Sequence, residues 1–432
     1  MSHSRRSFVA VSSAAVAGMA LAGPQETLAS KGGPKAVTVP AAQQEALMKW
    51  PRYGPAEKEA LHRMIDSGQF YPEIPLFEKD WKDYTGAQFV KAHMNYSSGL
   101  TSMYFALDLP PGSEIMVPSY TFFSTCLPMR FFGYVPVFVD VNPKTVCFDL
   151  EDANRKLTPL TKAVVVMHAW GLPCELDRIS AWTKEKGLIL LEDAAQAVGA
   201  SMQGRKMGTW GLMGGYSLQA TKVLPTIEGG VCFYQTREYY ERATAFGNYD
   251  APETFPADSP IRAYKDTGFG QKYRMHPFAA AVGRQQLRGL DERRDLVTAN
   301  VRKLNDQLVE LPGLSEPVCR RDQQRAYYYG NILFFDPAKA GFSRSALLDA
   351  LNAEGVKAQL WNYPEQHRLT IYSEAKWWHH PPRIEPPMPG NGQVNAQNVI
   401  LPLMYGEAPE LIGQYVKAFQ KVWAHRAELG KA

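Results

Sequence analysis

Cysteine is scarce in this 432-residue chain. The five present, Cys126, Cys147, Cys174, Cys232 and Cys319, are scattered, odd in number and never spaced as C-x-x-C. That pattern argues against a disulfide framework and a zinc ribbon and leaves the five as small buried hydrophobes. An excess of one charge is lacking too. Forty-seven basic against 43 acidic residues leave a net +4, so bulk charge favours neither nucleic acid nor a membrane surface as partner. Beyond the N-terminus no stretch approaches the roughly 18 consecutive apolar residues of a membrane span. There is no internal repeat. With 45% hydrophobic and 21% charged residues, disorder, coiled coil and collagen are excluded as overall descriptions.

What is present begins with a leader. Arg5 and Arg6 lie in a Ser-Arg-Arg-x-Phe setting, an uncharged run follows from Phe8 to Ala22, and Ala20-Leu21-Ala22 precedes Gly23. Charge, apolar run and small-x-small site in this order resemble a twin-arginine signal peptide over residues 1–22. Its removal would leave a net +2 and a soluble protein exported to the periplasm. The alternative is a cytoplasmic chain with a tail holding two arginines by chance.

Residues 23–45 are polar, carry no periodicity and read as a linker. From Trp50 to Gly86 the spacing is helical, with a break at Gly68–Tyr71. Apolar strand-like runs then recur at Ile115–Val117, Val135–Val141, Ala163–Met167, Leu188–Leu191 and Val231–Tyr234. Helical spacing lies between them, as in Glu175–Lys186 with Gly187 as its stop. Short strands buried on both faces and alternating with helices define an α/β fold with a mainly parallel sheet. The apolar spacing from Leu287 to Leu311 predicts one long amphipathic helix. It would hinge a large domain, residues 46–286, to a small α+β domain within residues 287–432. The small domain is expected to hold a strand at Tyr327–Phe335 and a helix between Ser343 and Gly355. An aromatic, proline and histidine-rich loop follows at Trp361–Pro389.

Four segments carry chemistry. Asp193 and Gln196 follow the run Leu188–Leu191, at the carboxyl end of a strand, where open α/β sheets grip ligands. An acid there can pair with a protonated ring nitrogen; alternatively Asp193 is a helix N-cap. In Ser217-Leu218-Gln219-Ala220-Thr221-Lys222 a hydroxyl behind glycines can hold a phosphate. The lysine can then attack a carbonyl carbon and move protons, unless it is a solvated surface lysine. The turn Ser97-Ser98-Gly99-Leu100-Thr101 opens a helix, and helix N-termini attract anions; it has neither a P-loop lysine nor a G-x-G-x-x-G. Phe122, after Pro118-Ser119-Tyr120-Thr121, can stack on a planar ring or simply pack.

In this order the segments resemble the DegT/DnrJ/EryC1/StrS family of sugar aminotransferases, over roughly Trp50 to Trp423. The motifs are Pro118–Phe122, Pro136–Asp140, His168-Ala169-Trp170-Gly171, Glu192–Gln196, Thr221-Lys222, Glu228-Gly229-Gly230 and Tyr273-Arg274-Met275. The resemblance implies the fold type I architecture of enzymes dependent on pyridoxal 5′-phosphate (PLP). It implies that Lys222 forms the Schiff base and shuttles the proton, and that Asp193 keeps the pyridine nitrogen protonated. Gln196 would touch the phenolic oxygen and Phe122 would stack on the ring. Ser217, with Gly99, Leu100 and Thr101, would hold the phosphate. It implies a homodimer in which Lys272 reaches the partner's phosphate. The reaction would move nitrogen from glutamate or glutamine to a keto-sugar or keto-cyclitol held by Gln219, Tyr363 and His367.

Three residues depart from the family pattern: Leu100 and Lys272, where Thr and Asn are usual, and Ile227 in place of a glycine. Two other readings stand beside transamination. One is PLP-dependent dehydration, whose catalysts usually replace the lysine by histidine. The other is a non-catalytic sensor or binding protein on the same fold.

Overall fold

The computed structural model describes residues 26–384 and 387–430, and the leader lies outside them. Nine strands fall between Phe89 and Tyr234. They are β1 (Phe89–His93), β2 (Glu114–Pro118), β3 (Val135–Val139), β4 (Thr161–Met167), β5 (Ile189–Asp193), β6 (Ser201–Met202), β7 (Arg205–Lys206), β8 (Met213–Ser217) and β9 (Gly230–Tyr234). Seven of them form one sheet in the order β1-β9-β8-β5-β4-β2-β3. The pairs β3–β2–β4–β5–β8 are parallel, and β9 runs antiparallel to both β8 and β1. Every residue of β2, β3 and β9 is buried, as a sheet covered on both faces requires.

Two sheet strands escape the hydrophobic pattern. One is β1. The other is β8, whose Met-Gly-Gly-Tyr-Ser sequence reads as a turn. Its glycines answer to packing: a Cβ at Gly214 would stand 2.4 Å from the Gly208 carbonyl oxygen, and one at Gly215 2.4 Å from that of Val231.

The single long helix expected from Leu287 to Leu311 is two. Pro277–Arg288 and Leu290–Leu308 meet at Gly289. Leu287 and Leu290 lie on either side of the break yet join the same core, which explains why the apolar spacing runs through it.

The second unit holds β10 (Leu314–Ser315), β12 (Asn331–Phe335) and β13 (Asn398–Leu401) in an antiparallel sheet. Between them β11 (Gln323–Gln324) returns to pair with β6. The helix Arg344–Ala353 is capped by Ser343, which accepts from Ala346 N, and Gly355 follows at φ +94°. The helix Pro409–Ala424 buries Leu411, Tyr415, Phe419 and Trp423.

Residues 26–39 are no free linker. Leu28, Val37 and Val39 are buried in the core of this second unit. Ala29 N and Ala36 N donate to the Glu354 carboxylate, and Lys421 Nζ donates to Pro34 O at 2.6 Å. Polar composition concealed the docking because it rests on a few apolar contacts and on backbone hydrogen bonds.

Candidate active site

The carboxyl ends of β2, β4, β5 and β8 bring Thr121, Met167, Asp193 and Ser217 to one cavity of about 750 Å³. Successive side chains of a strand point to opposite faces, and this separates the two acids at the end of β5. Glu192 faces away: its carboxylate accepts from Gly208 N, Trp210 N and Gly211 N and meets His168 Nε2 at 3.1 Å. Asp193 faces the cavity. Its Oδ2 accepts from Thr125 Oγ1 at 2.6 Å and its Oδ1 from Ala195 N at 3.0 Å. Burial raises its carboxyl above the ordinary range.

Lys222 stands on the loop between β8 and β9, which three backbone bonds brace: Leu218 N to Gly229 O, Thr226 N to Leu218 O and Ala220 N to Ile227 O. Its Nζ donates to Tyr328 Oη at 3.0 Å, and its carbonyl accepts from Trp50 Nε1 at 3.0 Å. Ile227, on the same loop, has φ +73°. This is left-handed backbone that glycine occupies freely and a β-branched residue enters only with strain.

Gln196 Oε1 accepts from Trp170 N at 2.7 Å, and its Nε2 donates to Tyr363 Oη at 3.0 Å. Tyr363 stacks on Tyr120 with ring centres 4.6 Å apart, and burial keeps its phenol protonated well above the usual range. Phe122 lines the cavity, is 54% exposed and packs on Phe123. Gln219 also lines it and accepts from Thr221 N and Oγ1.

Three expected contacts, Gly99, Thr101 and His367, are placed elsewhere. Gly99 and Thr101 lie within the helix Tyr96–Leu107, which starts earlier than the glycine suggests because Asn95 caps it by accepting from Ser98 N. A Cβ at Gly99 would strike Cys232 Sγ, and the Thr101 hydroxyl donates to Ser97 O. The helix instead meets the cavity through Asn95, Tyr96, Ser97 and Leu100, with Ser97 Oγ donating to Ser124 Oγ at 2.7 Å. His367 lies behind the wall, its Nδ1 2.5 Å from Ser119 Oγ, and burial lowers its pKa to about 4. Lys272 is exposed and off this chain's cavity wall.

Sequence reasoning gave no role to Trp170, Tyr328, Tyr329 and Trp361, all on the wall. Tyr329 contacts Trp361 and Trp170 with ring centres 4.5 and 5.9 Å apart, and its φ is +65°. A signal did exist. The run Tyr327-Tyr328-Tyr329 puts aromatics on both faces of a strand entry, so one face has to serve something besides the core.

A lysine amine, a buried carboxylate and an amide open on one cavity that a helix N-terminus and serine hydroxyls also reach. This set fits PLP, with Lys222 for its carbonyl carbon, Asp193 for its ring nitrogen and Ser97, Ser124 and Ser217 for its phosphate. The fold and site thus define a PLP-dependent enzyme of fold type I.

The chain belongs to the DegT/DnrJ/EryC1/StrS aminotransferase family, whose model matches residues 51–402. It is 32% identical over 344 residues to the L-glutamine:2-deoxy-scyllo-inosose aminotransferase of Streptoalloteichus tenebrarius, covering 76% of this chain and 80% of that protein. It is 30% identical to the dTDP-4-dehydro-2,3,6-trideoxy-D-glucose 4-aminotransferase of Saccharopolyspora spinosa, covering 74% and 85%. Among solved structures it resembles DesI in the presence of its TDP-sugar product, with a TM-score of 0.76, 26% identity and coverage of 94% and 97%. The protein is a PLP-dependent aminotransferase.

Proposed function

We propose that this enzyme moves an amino group from glutamate or glutamine to an uncharged keto-cyclitol or keto-sugar. The observation that carries the reading is the cavity itself, where Lys222, Asp193 and Gln196 meet a wall of Trp170, Tyr329, Trp361 and Tyr363. Aromatic faces suit the C–H faces of a polyol ring, and amide and phenol groups suit its hydroxyls. Among the described residues on that wall, Lys222 is the one cationic side chain that this chain supplies, so this chain alone offers a diphosphate no arginine clamp. The similarity to a 2-deoxy-scyllo-inosose aminotransferase supports the cyclitol choice.

PLP, when bound, supplies the electron sink that makes the C–H bond beside the substrate nitrogen acidic. The chain's residues supply the rest. Lys222 would carry the proton from the donor's carbon to the cofactor's carbonyl carbon and, in the second half, from there to the acceptor's carbon. Asp193 keeps a proton on the ring nitrogen, and its burial strengthens that pairing. The aromatic wall orients the acceptor and excludes water.

The test is to add glutamate and glutamine separately to the holoenzyme and follow its visible spectrum, then offer 2-deoxy-scyllo-inosose and a nucleotide-linked keto-sugar. Amination of the nucleotide-linked ketone alone rejects the acceptor assignment. Lys222→Ala is expected to abolish turnover and covalent capture of PLP by borohydride. Capture on another lysine, shown by peptide mapping, reassigns the nucleophile.

The active form is a homodimer in this reading, with Lys272 serving the partner's site. The exposed position of Lys272 and of Phe122 supports it. Inactive Lys222 and Lys272 variants then complement each other when mixed. The leader sends the folded enzyme to the periplasm, supported by the order of Arg5-Arg6, apolar run and Ala20-Leu21-Ala22. Replacing both arginines by lysine is expected to retain it in the cytosol.

A further inference from the structure

Lys222 is gripped at both ends. The Trp50 indole holds its carbonyl, and Trp50 is itself stacked on Tyr405 with ring centres 4.5 Å apart. At the other end, Nζ lies 3.0 Å from Tyr328 Oη and 4.3 Å from the centre of the Tyr328 ring. Thr221 Oγ1 lies 3.4 Å from the same phenol oxygen. Tyr328 belongs to the second unit, just ahead of β12, and is 9% exposed. Among the described residues it is the hydrogen-bond partner of Nζ.

A lysine that passes a proton to and fro alternates between ammonium and amine. The ring face attracts only the ammonium. The hydroxyl serves both forms, since it accepts from an ammonium and donates to a neutral amine. Its short, nearly buried placement keeps the amine at one point of the cavity through the change of charge.

We propose that Tyr328 is the positioning residue of Lys222, holding its nitrogen in both protonation states whenever that nitrogen is not bonded to the cofactor. The proposal rests on Lys222 being the reactive lysine, and it adds a role for the second unit in the proton transfers.

The experiment compares the holoenzyme with its Tyr328→Phe variant. Excess amino donor first frees Lys222 from the cofactor. Trinitrobenzenesulfonate is then added, and labelling of Lys222 is followed by peptide mass spectrometry. In the variant we expect labelling to rise at least about fivefold and the donor half-reaction to slow about 10- to 100-fold. The donor concentration for half-saturation, the visible absorption band and the Tm are expected to match the parent. Tyr328→His restores a group that donates or accepts, and is expected to recover both the protection and about tenfold of the lost rate. Labelling and half-reaction within twofold of the parent overturn the proposal. So does a slower half-reaction with unchanged labelling, which places Tyr328 on the substrate instead. A Phe variant that loses cofactor or Tm, and a His variant that recovers neither protection nor rate, make Tyr328 merely structural. Borohydride capture of PLP on another lysine is a separate failure, of the lysine assignment.

Discussion

The cavity has two walls of different construction. One is built by the large sheet. Asp193 pairs in register with Met167 on one side and Gly215 on the other, so hydrogen-bonded strands fix its backbone. The other is built by loops of the second unit, which carry Tyr328, Tyr329, Trp361 and Tyr363. The first wall holds the charge and the serine and threonine hydroxyls beside Phe122 and Trp170, and the second is mostly ring surface. Chemistry shared by many enzymes sits on the rigid element, and shape sits on segments able to vary without disturbing the sheet.

The sharpest test of this division is Asp193→Asn. The rate is expected to fall by about 10²–10³, as when one preorganised electrostatic group is lost. Stability is expected to move the other way. Burial raises the Asp193 pKa, so between the usual carboxyl range and that raised value the folded state holds more protons than the unfolded. Stability is then lost as pH rises through the window. Stripped of cofactor at pH 7, the variant is expected to melt above the parent. A lower Tm would show that the Thr125 and Ala195 bonds outweigh desolvation.

Trp361→Ala probes the other wall. It is expected to raise the KM for the acceptor about tenfold, the order lost with an aromatic contact of 1–1.5 kcal/mol, and to leave the donor half-reaction within twofold. Equal losses in both halves would erase the distinction between the walls.

His367 ties the second wall to the end of β2. Burial lowers its pKa to about 4, so the unfolded chain binds the extra proton first. Its contribution to stability is present above about pH 6.5, its ordinary pKa, and is lost as pH falls toward 4, by at most about 1.4 kcal/mol per pH unit. His367→Asn is expected to flatten the urea-midpoint profile across that window. An unchanged slope would mean that other groups dominate it.

The smallest effect belongs to Ile227→Gly. Release of positive-φ strain, less the entropy of a glycine, is expected to stabilise the protein by about 1 kcal/mol. A lower Tm would show that the isoleucine side chain has a contact of its own, as at a subunit interface.

Legibility in the sequence follows the same two walls. The strands β2, β4, β5 and β9 announce themselves by apolar runs, and Asp193, Ser217 and Lys222 by motifs at their ends. β8 does not, because close backbone approach demands glycine where a strand pattern expects bulk. Gly99 and Thr101 miss the cavity because a cap at Asn95, which a glycine-based reading overlooks, starts the helix sooner. Tyr328 and Tyr329 depend on chain crossings more than a hundred residues from Lys222 and Trp170, and no local period records such contacts. Trp361 belongs to the same wall through Tyr329.

The docking of residues 26–39 bears on the timing of synthesis. Their apolar side chains share one core cluster with Leu411, Tyr415 and Phe419, and Gln414 Oε1 accepts from Thr38 N and Val39 N. A nascent chain finds part of this docking at Glu354 and completes it only once the helix Pro409–Ala424 has emerged. Trp50 follows after the helix Ala41–Met48 and fastens the loop of Lys222. A segment made early in synthesis is thus among the last to complete its packing.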